Sequence, residues 1–173
     1  MRALQGSDVA AVTVPPDVTF AGGAGGAHLP HDYVPDEDAK LEIYRRLART
    51  TEVGEIAALR DELRDRFGPL PAEAERLLTV AELRALGALL GLETILVRGD
   101  EARLSFRAGA TPRLAGLTAA LEGVQFGADV RRIMPLSLRL TRLGGMEIGP
   151  GLVRALKAAL GMHSDAAAAR SAS

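Results

Sequence analysis

Cysteine is absent from this chain of 173 residues. That excludes disulfides, thiolate nucleophiles and cysteine-ligated metals, and it fits a cytosolic bacterial-type protein. Tryptophan is absent as well, and aromatics make up only 3% of the residues. Burial must therefore come from Leu, Ala, Val and Ile, which suits helices packed on helices or on a small sheet. A dominant charge sign is also missing: 21 basic side chains oppose 22 acidic ones, for a formal net charge of −1. No general electrostatic pull towards nucleic acid or an anionic membrane follows. No apolar run reaches the ~18–20 residues of a membrane span. The opening "MRALQGSDVA" lacks a signal-peptide core. The expectation is a soluble, cytoplasmic, single-domain protein with a trailing tail.

What is present divides by hydrophobic period. "VAAVTV" (9–14) is β-branched and reads as a short edge strand stopped by Pro15-Pro16. "FAGGAGGA" (20–27) reads as a flexible linker. A helix over 36–49 is expected next, with Glu37 and Asp38 in its first turn, Arg45, Arg46 and Arg49 towards its end, and Leu41, Tyr44, Leu47 and Ala48 facing the core. A second helix, 51–67, has Thr51 as N-cap and Ile56, Leu59, Leu63 and Phe67 as its apolar stripe. Gly68 and Pro69 close it. A third, from Pro71 to Leu90, carries leucines and alanines most of the way round and should be the central, buried helix.

From Gly91 the period becomes two. "ETILV" and "ARLSF" flank a turn containing Gly99, a helix opens at Thr111-Pro112, and "VQFGADVRRI" pairs with "LSLRLTRL" before a last helix from Pro150 to Leu160. The fold class is α+β: a short N-terminal strand, three helices, then two ββα units forming a small antiparallel sheet packed on helices. Domain boundaries are set at 1–27 for the strand and linker, 28–160 for the globular module and 161–173 for a frayed tail.

Four clusters could carry chemistry. Asp61, Glu62 and Asp65 share one helix face, a spacing that suits a hard cation, acid–base work or protein docking. Interleaved Arg60, Arg64 and Arg66 make a solvated or docking face the better reading, because no histidine or apolar pocket stands by to raise a carboxylate pKa. His28, His31 and Asp32 could ligate a metal, but beside a Gly-rich linker they read as surface groups, and His163 falls in the tail. The glycines at 22, 23, 25 and 26 lack a P-loop context, and Ser105 and Ser137 lack a nucleophile elbow. Arg98, Arg103, Arg107, Arg113, Arg131, Arg132, Arg139 and Arg142 make the second half net basic. Only Phe106 and Phe126 accompany them, so a nucleic-acid-contacting accessory domain is the alternative rather than the first reading. No catalytic constellation, cofactor or metal is expected.

The run "LPHDYVPDEDAKLEIYRRLA", followed by "LRDELRDRFGPLP" and a long Leu-rich helix ending "LGL", closely resembles the C-terminal (TRCF) module of the bacterial transcription-repair coupling factor, Mfd. The likeness is specific over about 29–92 and consistent in element order through about 160. It implies a terminal piece of an ATP-dependent DNA translocase that removes stalled RNA polymerase and recruits excision repair, with Met1 an artificial start. It also implies a non-catalytic, autoinhibitory role: docking on the UvrB-like N-terminal module and covering the UvrA-binding surface. The family's interface pattern E-x-x-D-R falls here on Glu62, Asp65 and Arg66.

Overall fold

The structure, a computed structural model, describes residues 14–21, 26–110 and 112–162. Three helices come first after a short strand. Helix α1 (Glu37–Arg49) is capped by Asp36, whose Oδ1 accepts from the Asp38 and Ala39 amides at 2.9 and 3.3 Å. Its buried residues are Ile43 and Leu47, with Tyr44 partly covered, whereas Leu41 is 47% exposed and Ala48 also faces water. The apolar stripe therefore keeps Tyr44 and Leu47 but is rotated by roughly a quarter of a turn from the sequence expectation. Ile43 reaches the core between the helices and Leu41 cannot.

Helix α2 (Val53–Phe67) starts later than expected, with Glu52 rather than Thr51 at the cap and no side-chain cap bond. Val53, Ile56, Leu59 and Leu63 are buried, as the three-and-four spacing requires. Gly68 ends it at φ +86°, a conformation that glycine adopts without Cβ strain. The Tyr33 hydroxyl donates into the Leu63 and Gly68 carbonyls at 3.1 and 2.9 Å, pinning this end to the preceding loop. Helix α3 (Ala72–Leu90) is the central element, ended by left-handed Gly91. Along it only Ala72, Arg84 and Leu89 are exposed.

The sheet has five strands in the order β1-β2-β3-β5-β4. β2 (Leu92–Arg98), β3 (Glu101–Phe106), β5 (Leu136–Arg142) and β4 (Phe126–Ile133) pair antiparallel, while β1 (Asp17–Ala21) lies parallel to β2. The sheet is mixed because that N-terminal strand returns to its edge. The strand expected at 9–14 falls largely outside the described residues, and Val14 is not in a strand. The strand that is seen begins after Pro16, where no proline interrupts the ladder, and it takes Phe20 and Ala21 from the expected linker.

Leu104 faces Ile95 on one side and Leu138 on the other, and Ala102 likewise faces Val97 and Leu140. All six are buried, so they form the sheet's inner face. Helices α3, α4 (Leu114–Gly123) and α5 (Ile148–Ala159) complete this layer, with α3 packing on β1 and β2 and α4 on β4. α4 starts at Leu114, later than expected, and Thr111 lies outside the described residues. α5 starts earlier, placing Pro150 in its first turn. Alternate residues Glu101, Arg103 and Ser105 form the open outer face.

Candidate protein-docking face

The charged face of α2 forms because its apolar residues are committed inwards to the core, where the helix packs on α3. Apart from Arg60, the charged side chains between them lie on the side away from the core. Glu62 is the best-held group there. Arg46, from the last turn of α1, brings Nη1 to 3.0 Å from Oε1 and 2.8 Å from Oε2. Arg66, one turn on, adds Nη1 at 3.0 Å from Oε1. The Arg46 hydrogen bond is the main cause of a Glu62 pKa below its ordinary value; partial burial opposes it and Arg66 assists. The Glu62 side chain nevertheless remains 33% exposed. The Arg66 guanidinium also lies 4.9 Å from the Phe67 ring centre, and Phe67 packs at a tilt on Tyr33 with centroids 5.8 Å apart. A carboxylate and an aromatic face therefore limit where Arg66 can point.

Asp65 is exposed and has no ion-pair partner among the described residues. Asp61 is exposed too and holds Arg64 at 3.2 Å. Glu62 and Arg66 are thus joined directly, with Asp65 standing beside them on the solvent side. Arg60 departs from the expected solvated face. It turns inwards between α2 and α3, its Nε 3.1 Å from Glu75 Oε2 and its Nη1 hydrogen-bonded to Glu82 Oε1. Burial pulls the Arg60 pKa down, but Glu82 and Glu75 outweigh it and the net shift is upwards. Glu82 is only 5% exposed, so this is a structural ion pair rather than part of the face.

The other clusters are dispersed. His31 Nδ1 lies 3.4 Å from Glu37 Oε1 at the surface, while His28 and Asp32 are exposed. Among the described residues no group of three or more His, Cys, Asp or Glu side chains gathers as a metal site. His163 lies outside them. Ser105 and Ser137 face each other across β3 and β5 without a histidine. Of the second-half arginines, Arg139 pairs with Glu101 and Arg142 Nε with Asp100 Oδ1 at 2.8 Å. Arg107 Nη2 donates to the Val14 carbonyl at 3.1 Å. Arg98, Arg103, Arg131 and Arg132 are exposed without ion pairs among the described residues. They are carried by β2, β3 and β4.

Arg46 and Glu82 are the residues that sequence reasoning missed. Each acts through a contact between helices, 16 residues from Glu62 and 22 from Arg60 respectively, so no local spacing announces either. Among the described residues no helix is long and apolar enough to cross a membrane.

Comparison with known proteins identifies the family. The transcription-repair-coupling factor of Staphylococcus haemolyticus is 34% identical over 90 residues, 52% of this chain and 8% of that protein. Its counterpart in Mycobacterium bovis is 53% identical over 60 residues, 35% of this chain and 5% of that protein. The matches therefore span less than a tenth of those relatives' length. A crystal structure of the C-terminal domain of a transcription-repair coupling factor superposes with a TM-score of 0.71, covering 86% of this chain and 94% of that one at 18% identity. At that identity the likeness speaks for the fold alone. The family model of the TRCF domain matches residues 25–117, more than half of the chain, and the chain belongs to that family.

Proposed function

We propose that this chain is a non-catalytic, autoinhibitory docking module of a transcription-repair coupling factor. It seats on a UvrB-like N-terminal module of the parent DNA translocase and masks the surface that would bind UvrA, with RNA polymerase an indirect partner. The observation that carries this reading is the α2 face. Glu62 and Arg66 are positioned by hydrogen bonds yet reachable, and Asp65 is exposed beside them, without an ion-pair partner among the described residues.

The energetics suit a lock that must open. Exposed ion pairs contribute ~0.2–1 kcal/mol each, and they set orientation and on-rate more than permanence. Tethering in one polypeptide raises the effective concentration, so weak contacts hold in cis. A tenfold change in the closed-to-open ratio needs only about 1.4 kcal/mol, so one or two lost pairs should already leak.

The test adds this chain in trans to a coupling factor lacking its C-terminal module. Restored suppression of UvrA binding and of ATPase turnover supports the reading. A chain that stays folded and leaves both activities at the derepressed level refutes it.

A further inference from the structure

The α2 face carries a counter-ion that its own sequence pattern does not contain. Arg46 belongs to α1, yet it contacts both oxygens of Glu62, while Arg66 contacts Oε1 alone. One carboxylate therefore lies between two guanidinium groups, and the group as a whole is a net cation. Asp65 is the anion that faces solvent unpaired among the described residues. A partner cation approaching Glu62 meets Arg46 already in the position it would take, on the Oε2 side that Arg66 leaves open.

Resting on the docking reading above, we propose that Arg46 is a specificity-determining residue of this face: an in-chain competitor for Glu62 that a cation of the partner must displace or share. The partner chemistry follows. It is a protein surface that presents a cation to the Glu62–Asp65 pair, and a guanidinium fits best because its planar fork can take a carboxylate edge.

Arg46 has room to yield. Its side chain is 39% exposed and lines a groove between α1 and α2 with Arg49, Thr50, Glu55, Ala58 and Leu59. The core residues of the two helices, Ile43, Leu47, Ile56, Leu59 and Leu63, are buried apart from it, so the half-exposed guanidinium can swing without opening the core. The exchange also keeps the lock reversible. In the docked state Glu62 is paired to the partner; in the free state Arg46 takes it back. Neither state strands a half-covered carboxylate, whose loss of pairing would otherwise resist opening.

The experiment titrates this chain and its variants against the coupling factor lacking its C-terminal module, measuring Kd at low and high salt. Arg46→Gln is expected to tighten docking about two- to fivefold, the range of one exposed charge contact. The gain shrinks at high salt as screening takes over. Arg46→Lys, which keeps the charge, stays near the wild-type value. In an E62Q background, R46Q has no further effect, because the group being contested is gone. A thermal unfolding curve for each variant separates docking from folding. Weaker or unchanged docking by a folded R46Q chain overturns the proposal, provided Asp65→Lys still reduces binding. If D65K binds as wild type does, the docking reading itself fails, and the role of Arg46 falls with it.

Discussion

The helical and sheet halves of this molecule use opposite charges in different ways. Between residues 28 and 92 there are thirteen acidic side chains and nine basic ones; between 93 and 160 there are six and ten. In the helical half, ion pairs join one helix to the next: Arg46 on α1 to Glu62 on α2, and Arg60 on α2 to Glu75 and Glu82 on α3. In the sheet half, Arg139–Glu101 and Arg142–Asp100 lie on the exposed side and at the strand ends, above a core made wholly of apolar contacts. Charges that tie elements together can also set the strength of an external contact. Charges that only cover a sheet have little to transmit. For the docking role proposed above, this contrast favours α2 over the arginines of β2 to β5.

The comparison breaks first at Arg60. Replacing it by Met leaves Glu82, 5% exposed, without its partner, and a buried charge left alone is costly. We expect a loss of about 2–3 kcal/mol in urea unfolding, towards the lower end for a broken buried pair because Arg60 keeps some solvent contact. Adding Glu82→Leu should recover most of it. If R60M is neutral by itself, the pair does not link α2 to α3.

A smaller effect is expected where the sheet meets α3. Gly87 lies in the helix because a Cβ there would stand 2.6 Å from Pro16 Cγ. Gly87→Ala gains up to about 1 kcal/mol of helix propensity but forces Pro16, and β1 behind it, to move at a cost of ~1–3 kcal/mol. Faster hydrogen exchange of the β1 amides, with α1 and α2 unchanged, is the expected signature. Uniform exchange across the chain would show that β1 is not a separate edge element.

The smallest effect concerns pH. The folded-state pKa of Glu62 lies below its ordinary value of 4.5, chiefly through the Arg46 hydrogen bond. The stability it contributes is therefore fully present above about pH 4.5 and is lost as pH falls through the lower folded value. Wild type should lose slightly more stability than R46Q across that acidic window in chemical unfolding. Parallel pH curves would mean that the bond does not persist in solution.

These contrasts also explain what the sequence could convey. Helix ends at Asp36, Gly68 and Gly91, and the turn at Gly99, are set by local backbone chemistry, and the structure places them where the sequence puts them. The alternation of Leu138 and Leu140 with Arg139 and Thr141 was equally readable, because a strand with one covered face must alternate. The position of β1 was not, since its pairing partners at Thr94–Arg98 lie more than seventy residues away. The spacing in α1 put Leu41 and Ala48 in the core stripe and passed over Ile43, whereas the structure buries Ile43 and leaves the other two exposed. The same limit applies to the site. The spacing of Glu62, Asp65 and Arg66 put them on one face, whereas the Arg46 clamp exists only once α1 folds back over α2.

The central claim is the proposal that Asp65, exposed on α2 and unpaired among the described residues, helps to close the parent protein on itself. Asp65→Lys in the full-length coupling factor tests it most directly, with UvrA binding and ATPase turnover measured alongside an unfolding curve. The account predicts an unchanged melting temperature with a rise of several-fold in both activities. A folded variant whose UvrA affinity and turnover match wild type would contradict it.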